Sequence, residues 1–228
     1  MKLSLKPMAL AMFVAITPVA GVAYAQTANT ASAQAEAKAP DELQNHFTDA
    51  VAAYAKKDYQ AAAADIRQAT STLRIESGRA AGSAKQELDS SVAQLDKLAA
   101  SVEKSTVNEE KSMANAFATA NHALALEHRA KAAASWADKA YDKAGYELKA
   151  SAHGLENAAG WVGGKAKSGA SATVAGTRVL GDKLASGATW TRDEVGKGFA
   201  SLGKGIDALG RKLAGTKKAA PVAMGQHE

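Results

Sequence analysis

The residues in this chain best suited to chemistry are its histidines. His46 and His128 stand 82 positions apart in matching contexts, with Glu42 and Glu127 close by. Two imidazoles meeting across a helical core beside a carboxylate would hold a metal ion or a haem iron. Against that stands the plainer role of two boundary histidines with satisfied hydrogen bonds. Metal centres in helical bundles are commonly built from Glu-x-x-His pairs, and the sequence contains none. His122 and His128 are six apart, whereas one straight helix chelates a metal through residues four apart. His153 and His227 carry no pattern. Gly164-Lys165 is followed by Ala166, where a phosphate-binding loop needs Ser or Thr. No Ser, His and acid form a nucleophile-elbow set. Glu109-Glu110 is more simply a favourable first-turn charge on a helix. The expectation is a protein that is not an enzyme and carries no cofactor. A metal or haem site at His46 and His128 is the alternative.

The offset of 82 extends beyond the histidines. Residues 46–78 align with 128–160 at nine identities in 33, including Lys57/Lys139, Tyr59/Tyr141, Leu73/Leu155 and Gly78/Gly160. Tyr54/Trp136, Asp65/Glu147, Ile66/Leu148 and Arg67/Lys149 are conservative matches. An internal repeat points to stacked helical units that bury a shared core and present a surface.

The N-terminus has a positive start (Lys2, Lys6), a short apolar run over residues 8–17 and an Ala23-Tyr24-Ala25 site. This pattern is a secretory signal peptide, cleaved before Gln26. The apolar run is about half of the roughly 20 residues needed to span a bilayer. The expected destination is the periplasm. The absence of cysteine excludes a lipid-anchored lipoprotein, disulfides and thiolate chemistry.

Aromatic residues are 5% of the chain, and no segment alternates apolar and polar residues with β-branched enrichment, so the expected class is all-α. Charge divides the chain. Residues 26–159 carry 15 Lys+Arg against 18 Asp+Glu, whereas residues 160–218 carry 11 against 4. Thirteen of the 19 glycines also lie in the second region. The expected organisation is a signal peptide (1–25), a disordered leader (26–40), a helical bundle (41–160), a basic amphipathic glycine-rich segment (161–216) and a disordered tail (217–228).

The bundle reads as an antiparallel arrangement of about five helices. Asp41 is the expected N-cap of the first, whose stripe is Leu43, Phe47, Ala50, Val51 and Tyr54. The chain breaks near Lys57-Asp58, and Tyr59, Ala62, Ile66, Ala69 and Leu73 continue on a second helix. Ser83-x-x-Gln86 reads as a capping box before Leu88, Val92, Leu95, Leu98 and Val102. Thr106-x-x-Glu109 reads as another, opening a long helix with Met113, Phe117, Ala120 and Leu124 on one face. A last helix descends through Ala144, Leu148 and Leu155.

Residues 53–70 (AYAKKDYQAAAADIRQAT) and 135–152 (SWADKAYDKAGYELKASA) resemble the turn region of tetratricopeptide (TPR) units. In that pattern an aromatic ends helix A, a Tyr opens helix B, and a small residue (Ala62, Ala144) lets the helices approach. The glycine before the turn, the proline that ends a unit and the spacing of about 34 residues are missing. The resemblance implies TPR-like hairpins that offer a protein-binding surface.

In the tail, Val195, Phe199, Leu202, Ile206, Leu209 and Leu213 form one stripe. Its 11-residue echo keeps the stripe straight along a helix. Lys197, Lys204, Arg211 and Lys212 lie off that stripe, and Trp190 precedes it. The pattern is similar to the 11-residue amphipathic segments of late-embryogenesis-abundant proteins and apolipoproteins. Each glycine costs roughly 1 kcal/mol relative to Ala in a helix, so this segment needs something to accept its apolar face. The expected partner is a membrane surface or a partner helix, and export makes nucleic acid unsuitable. The chain is therefore expected to be an exported helical scaffold or interaction protein, serving envelope maintenance or stress protection.

Overall fold

The computed structural model describes residues 34–35, 37–105 and 110–218, and among these it holds seven helices and no strand. They are α1 (Ala39–Ala55), α2 (Tyr59–Arg79), α3 (Gly82–Glu103), α4 (Glu110–Ala137), α5 (Tyr141–Val162), α6 (Gly164–Ser186) and α7 (Arg192–Lys218). The signal peptide, its cleavage site, residues 26–33, the 106–109 capping box and residues 219–228 lie outside the described residues.

Local chemistry sets the helix starts. α1 opens at Ala39 with Pro40 in its first turn, where a fixed φ and a missing N–H cost nothing. Asp41 therefore sits inside the first turn beside Glu42 and favours the helix dipole, instead of acting as the N-cap. Asp58 caps α2, its side chain accepting from the Ala61 amide at 3.0 Å. The capping box expected at Ser83 is absent: α3 already begins at Gly82, after Ala81 in extended backbone, and no side chain caps it.

The turns after α1 and α4 share one geometry at the same offset of 82. Lys57 and Lys139 are both left-handed, with φ of 62° and 60°. The Lys57 amide donates to the Tyr54 carbonyl and the Asp58 amide to that of Ala53. The Lys139 amide donates to the Trp136 carbonyl and the Ala140 amide to that of Ser135. This is a Schellman closure in which a lysine fills the position usually given to glycine. An aromatic pair brackets each turn: Tyr54–Tyr59 at 5.4 Å and Trp136–Tyr141 at 4.9 Å between centroids.

Two apolar clusters make the interior. The first, beneath α1–α4, holds Leu43, Phe47, Ile66, Leu73, Leu88, Leu95, Val102, Met113, Phe117 and Leu124. Phe47 and Phe117 stack there at 4.0 Å. The second, beneath α4–α7, holds Leu148, Leu155, Val174, Leu180, Leu184 and Val195 with further residues of α7. α4 belongs to both, presenting Met113, Phe117 and Leu124 to one and Ala118, Ala125 and Ala132 to the other.

Residues 161–216, expected as an amphipathic extension, fold largely as α6 and α7 and pack against α4 and α5. Small residues make this possible. A Cβ placed on Gly145 of α5 would lie 2.5 Å from the Gly181 carbonyl oxygen and the Ala185 amide nitrogen of α6, so the two backbones touch.

Candidate interaction site

The histidines each find a local partner. His128 is fully buried on α4, and its Nδ1–H donates to Oε2 of equally buried Glu147 on α5 at 2.7 Å. His128 Nε2 and Glu147 Oε1 have no hydrogen-bond partner among the described residues. His46, at the equivalent position of α1, is half-buried and lies near Asp65 of α2, the residue 82 positions before Glu147. Burial and then Asp49 push the Asp65 carboxyl up, and His46 partly offsets them. His153 Nδ1 donates to Asp41 at 3.1 Å, and His122 Nε2 to the Ile206 carbonyl at 3.0 Å. His128 is thus bonded to an acid of the neighbouring helix, and His46 lies within electrostatic reach of one. Among the described residues, no group of three or more His, Asp or Glu side chains could hold a metal ion.

A further buried charge network lies one residue away. Lys131 Nζ reaches Glu76 at 2.8 Å and Glu127 at 3.6 Å, and Arg79 takes the other Glu76 oxygen at 3.1 Å. Burial pushes the Glu127 carboxyl up, more strongly than Lys131 and then His128 pull it down. The Lys131–Glu76 pair ties α2 to α4.

The tail residues separate by face. Val195, Leu202, Ile206, Leu209 and Leu213 are buried in the second cluster, while Trp190 and Phe199 are half-buried. Lys204, Arg211 and Lys212 are exposed, and exposed Lys197 pairs with Asp193 at 2.7 Å. Burying five such apolar side chains stabilises by roughly 1.5–3 kcal/mol each, so lifting this face onto another surface would forfeit on the order of 10 kcal/mol. The seat is specific as well as apolar. Gly203 of α7 lies against the Arg129 guanidinium and Gly210 against the His122 ring, each too close for a methyl group without adjustment. The glycines that look weakening in the sequence thus include contact points for α4.

Two surface features involve the last two helices. At one end, the start of α6 meets the end of α7 around a small crevice of about 100 Å³ that includes Ala166, Ala170, Gly205, Leu209 and Lys212. Exposed Lys165, Lys167, Arg211 and Lys212 adjoin it. At the other end, Trp136, Tyr141 and Trp190 form a three-ring cluster with centroids 4.9–5.0 Å apart. Beside it lies a cleft of about 300 Å³, also lined by Phe199, Lys139 and Arg192. Sequence reasoning singled out Trp190 and Phe199 but not their joining Trp136 and Tyr141. The signal was present, because the turn aromatics were already matched to the repeat. No described helix is long and apolar enough to cross a membrane.

Comparisons with protein-family models, with curated proteins and with solved structures found no match for this chain.

Proposed function

We propose that the chain is an exported, non-enzymatic helical scaffold that contacts an anionic membrane surface electrostatically. The contact uses the outward basic face of α6 and α7. The observation that carries this reading is the orientation of α7: its apolar stripe is covered by the chain's own helices, and Lys204, Arg211 and Lys212 point to solvent. Lys165 and Lys167 of α6 add charge at the same end. A basic patch near an anionic leaflet gains about 1 kcal/mol per Lys or Arg, without undocking a helix. Export rests on residues 1–25, and the periplasm is the compartment this reading assumes.

The hairpins α1–α2 and α4–α5 are read as two copies of one TPR-like unit. Support comes from the left-handed lysines, the bracketing aromatic pairs and the buried Ala62 and Ala144 at matching positions. A metal- or haem-binding role for His46 and His128 has less support, because the His128 ring is already hydrogen-bonded to Glu147 in the interior.

Co-sedimentation of the mature chain with vesicles tests the membrane contact. Binding is expected with phosphatidylglycerol-containing vesicles and not with phosphatidylcholine alone. Salt should reverse it, and far-ultraviolet circular dichroism should stay unchanged because α7 remains docked. Equal binding to both vesicle types, or none to either, would remove the proposal.

A further inference from the structure

We propose that the cleft between the α4–α5 turn and the start of α7 is a binding site for a small organic carboxylate with an apolar body. Its walls are Trp136, Tyr141 and Phe199, with Trp190 packed against the first two rings. Lys139 and Arg192 stand on the same cleft, and neither is ion-paired with another described residue. The acids next to Arg192 are engaged elsewhere: Asp193 with Lys197, and Glu194 with Lys183. The site therefore offers two uncommitted cations over an aromatic wall.

That combination selects its ligand by chemistry. An ammonium and a guanidinium hold a carboxylate through charge-assisted hydrogen bonds. The rings cover an attached chain or ring and add contact area at low entropic cost. A volume of about 300 Å³ falls at the lower end of the roughly 300–1,000 Å³ typical of small-molecule sites, which suits a small molecule rather than a folded partner. The turn helps fix the geometry: Lys139 takes its place through the left-handed closure between Trp136 and Tyr141. The cleft lies at the opposite end of α7 from the basic crevice, so this site and the membrane contact stand or fall separately.

The test is a tryptophan-fluorescence titration of the mature chain with octanoate, octanol and inorganic phosphate. Of the three tryptophans, Trp136 and Trp190 belong to the ring cluster, and Trp161 packs on Phe47 and Phe117. A Trp161→Phe variant therefore confines the signal to the site. Octanoate should give a saturable change, and the other two probes should bind at least tenfold more weakly. Lys139→Gln with Arg192→Gln, both at exposed positions, should weaken octanoate at least tenfold with the helical content unchanged. If Trp161→Phe does not fold, the same charge variants in the otherwise native chain give the decisive comparison. The proposal is overturned by the absence of a saturable response, by an equal response to octanol or phosphate, or by charge variants that bind octanoate as well as the native chain.

Discussion

His128 and Glu147, both without solvent exposure, share a 2.7 Å hydrogen bond between α4 and α5. Their counterparts 82 residues earlier, His46 and Asp65, are half-buried and within electrostatic reach of each other. The inner pair is hydrogen-bonded and sealed from solvent, and that burial sets its energetic weight. Removing one partner of a buried hydrogen bond leaves the other unsatisfied, at a cost of about 1–3 kcal/mol. His128→Ala is expected to destabilise by that amount in urea unfolding. His46→Ala should cost about 0.5 kcal/mol or less. A double-mutant cycle over His128 and Glu147 should return a coupling of about 1 kcal/mol or more. Equal costs for the two histidine variants would show that the inner pair does not hold the hairpin.

The α5–α6 crossing predicts opposite effects for two glycine-to-alanine changes. Gly145→Ala would drive a Cβ to 2.5 Å from backbone atoms of α6. Overpacking of that kind typically costs about 1–3 kcal/mol. Gly176, on α6, has open space around its would-be Cβ. Gly176→Ala should instead stabilise by up to about 1 kcal/mol through helix propensity. Thermal melts of the two variants should move in opposite directions.

Glu127 predicts a pH dependence. Burial holds its carboxyl above the usual range in the folded chain. The stability contributed by its protonated form is fully present below the unfolded carboxylate pKa and is lost as pH rises through the raised folded value. Below about pH 4 the group is protonated in both states, and Glu127→Gln should match the native chain. At pH 7 the native chain must keep a buried carboxylate ionised, so Glu127→Gln should melt higher than the native chain. Glu76 remains to accept from Lys131 in that variant. A gap that is the same at pH 4 and pH 7 would count against burial as the cause.

Helix positions and stripes were legible because amphipathic periodicity is a local property. Leu43, Phe47, Ile66, Leu73, Leu88 and Leu95 are all fully buried, as their spacing implied. Start signals were less legible, because several sequence patterns compete for one helix end. Pro40 displaced Asp41 from the capping position, and an earlier start at Gly82 left Ser83 inside the helix. The partner of His128 was not found from Glu127 or Glu42, which are near it in sequence or in repeat register. Hairpin geometry narrows the choice, since Glu147 is the first acid of the returning helix beyond its opening turn. The destination of the tail stripe was not legible at all. A lipid, a partner helix and the chain's own bundle ask for the same apolar spacing, and only the fold distinguishes them.

The position of α4 between two apolar clusters has a consequence for how the chain comes apart. A single 28-residue helix furnishes one wall of each half, so neither half can melt and leave the other intact. Cutting at the glycines of residues 163–164 would strip Leu148, Leu155 and the second face of α4 of their cover. The two halves should therefore denature in one cooperative step, and the stretch that resembles a dispensable appendage in the sequence acts as an integral buttress of the whole.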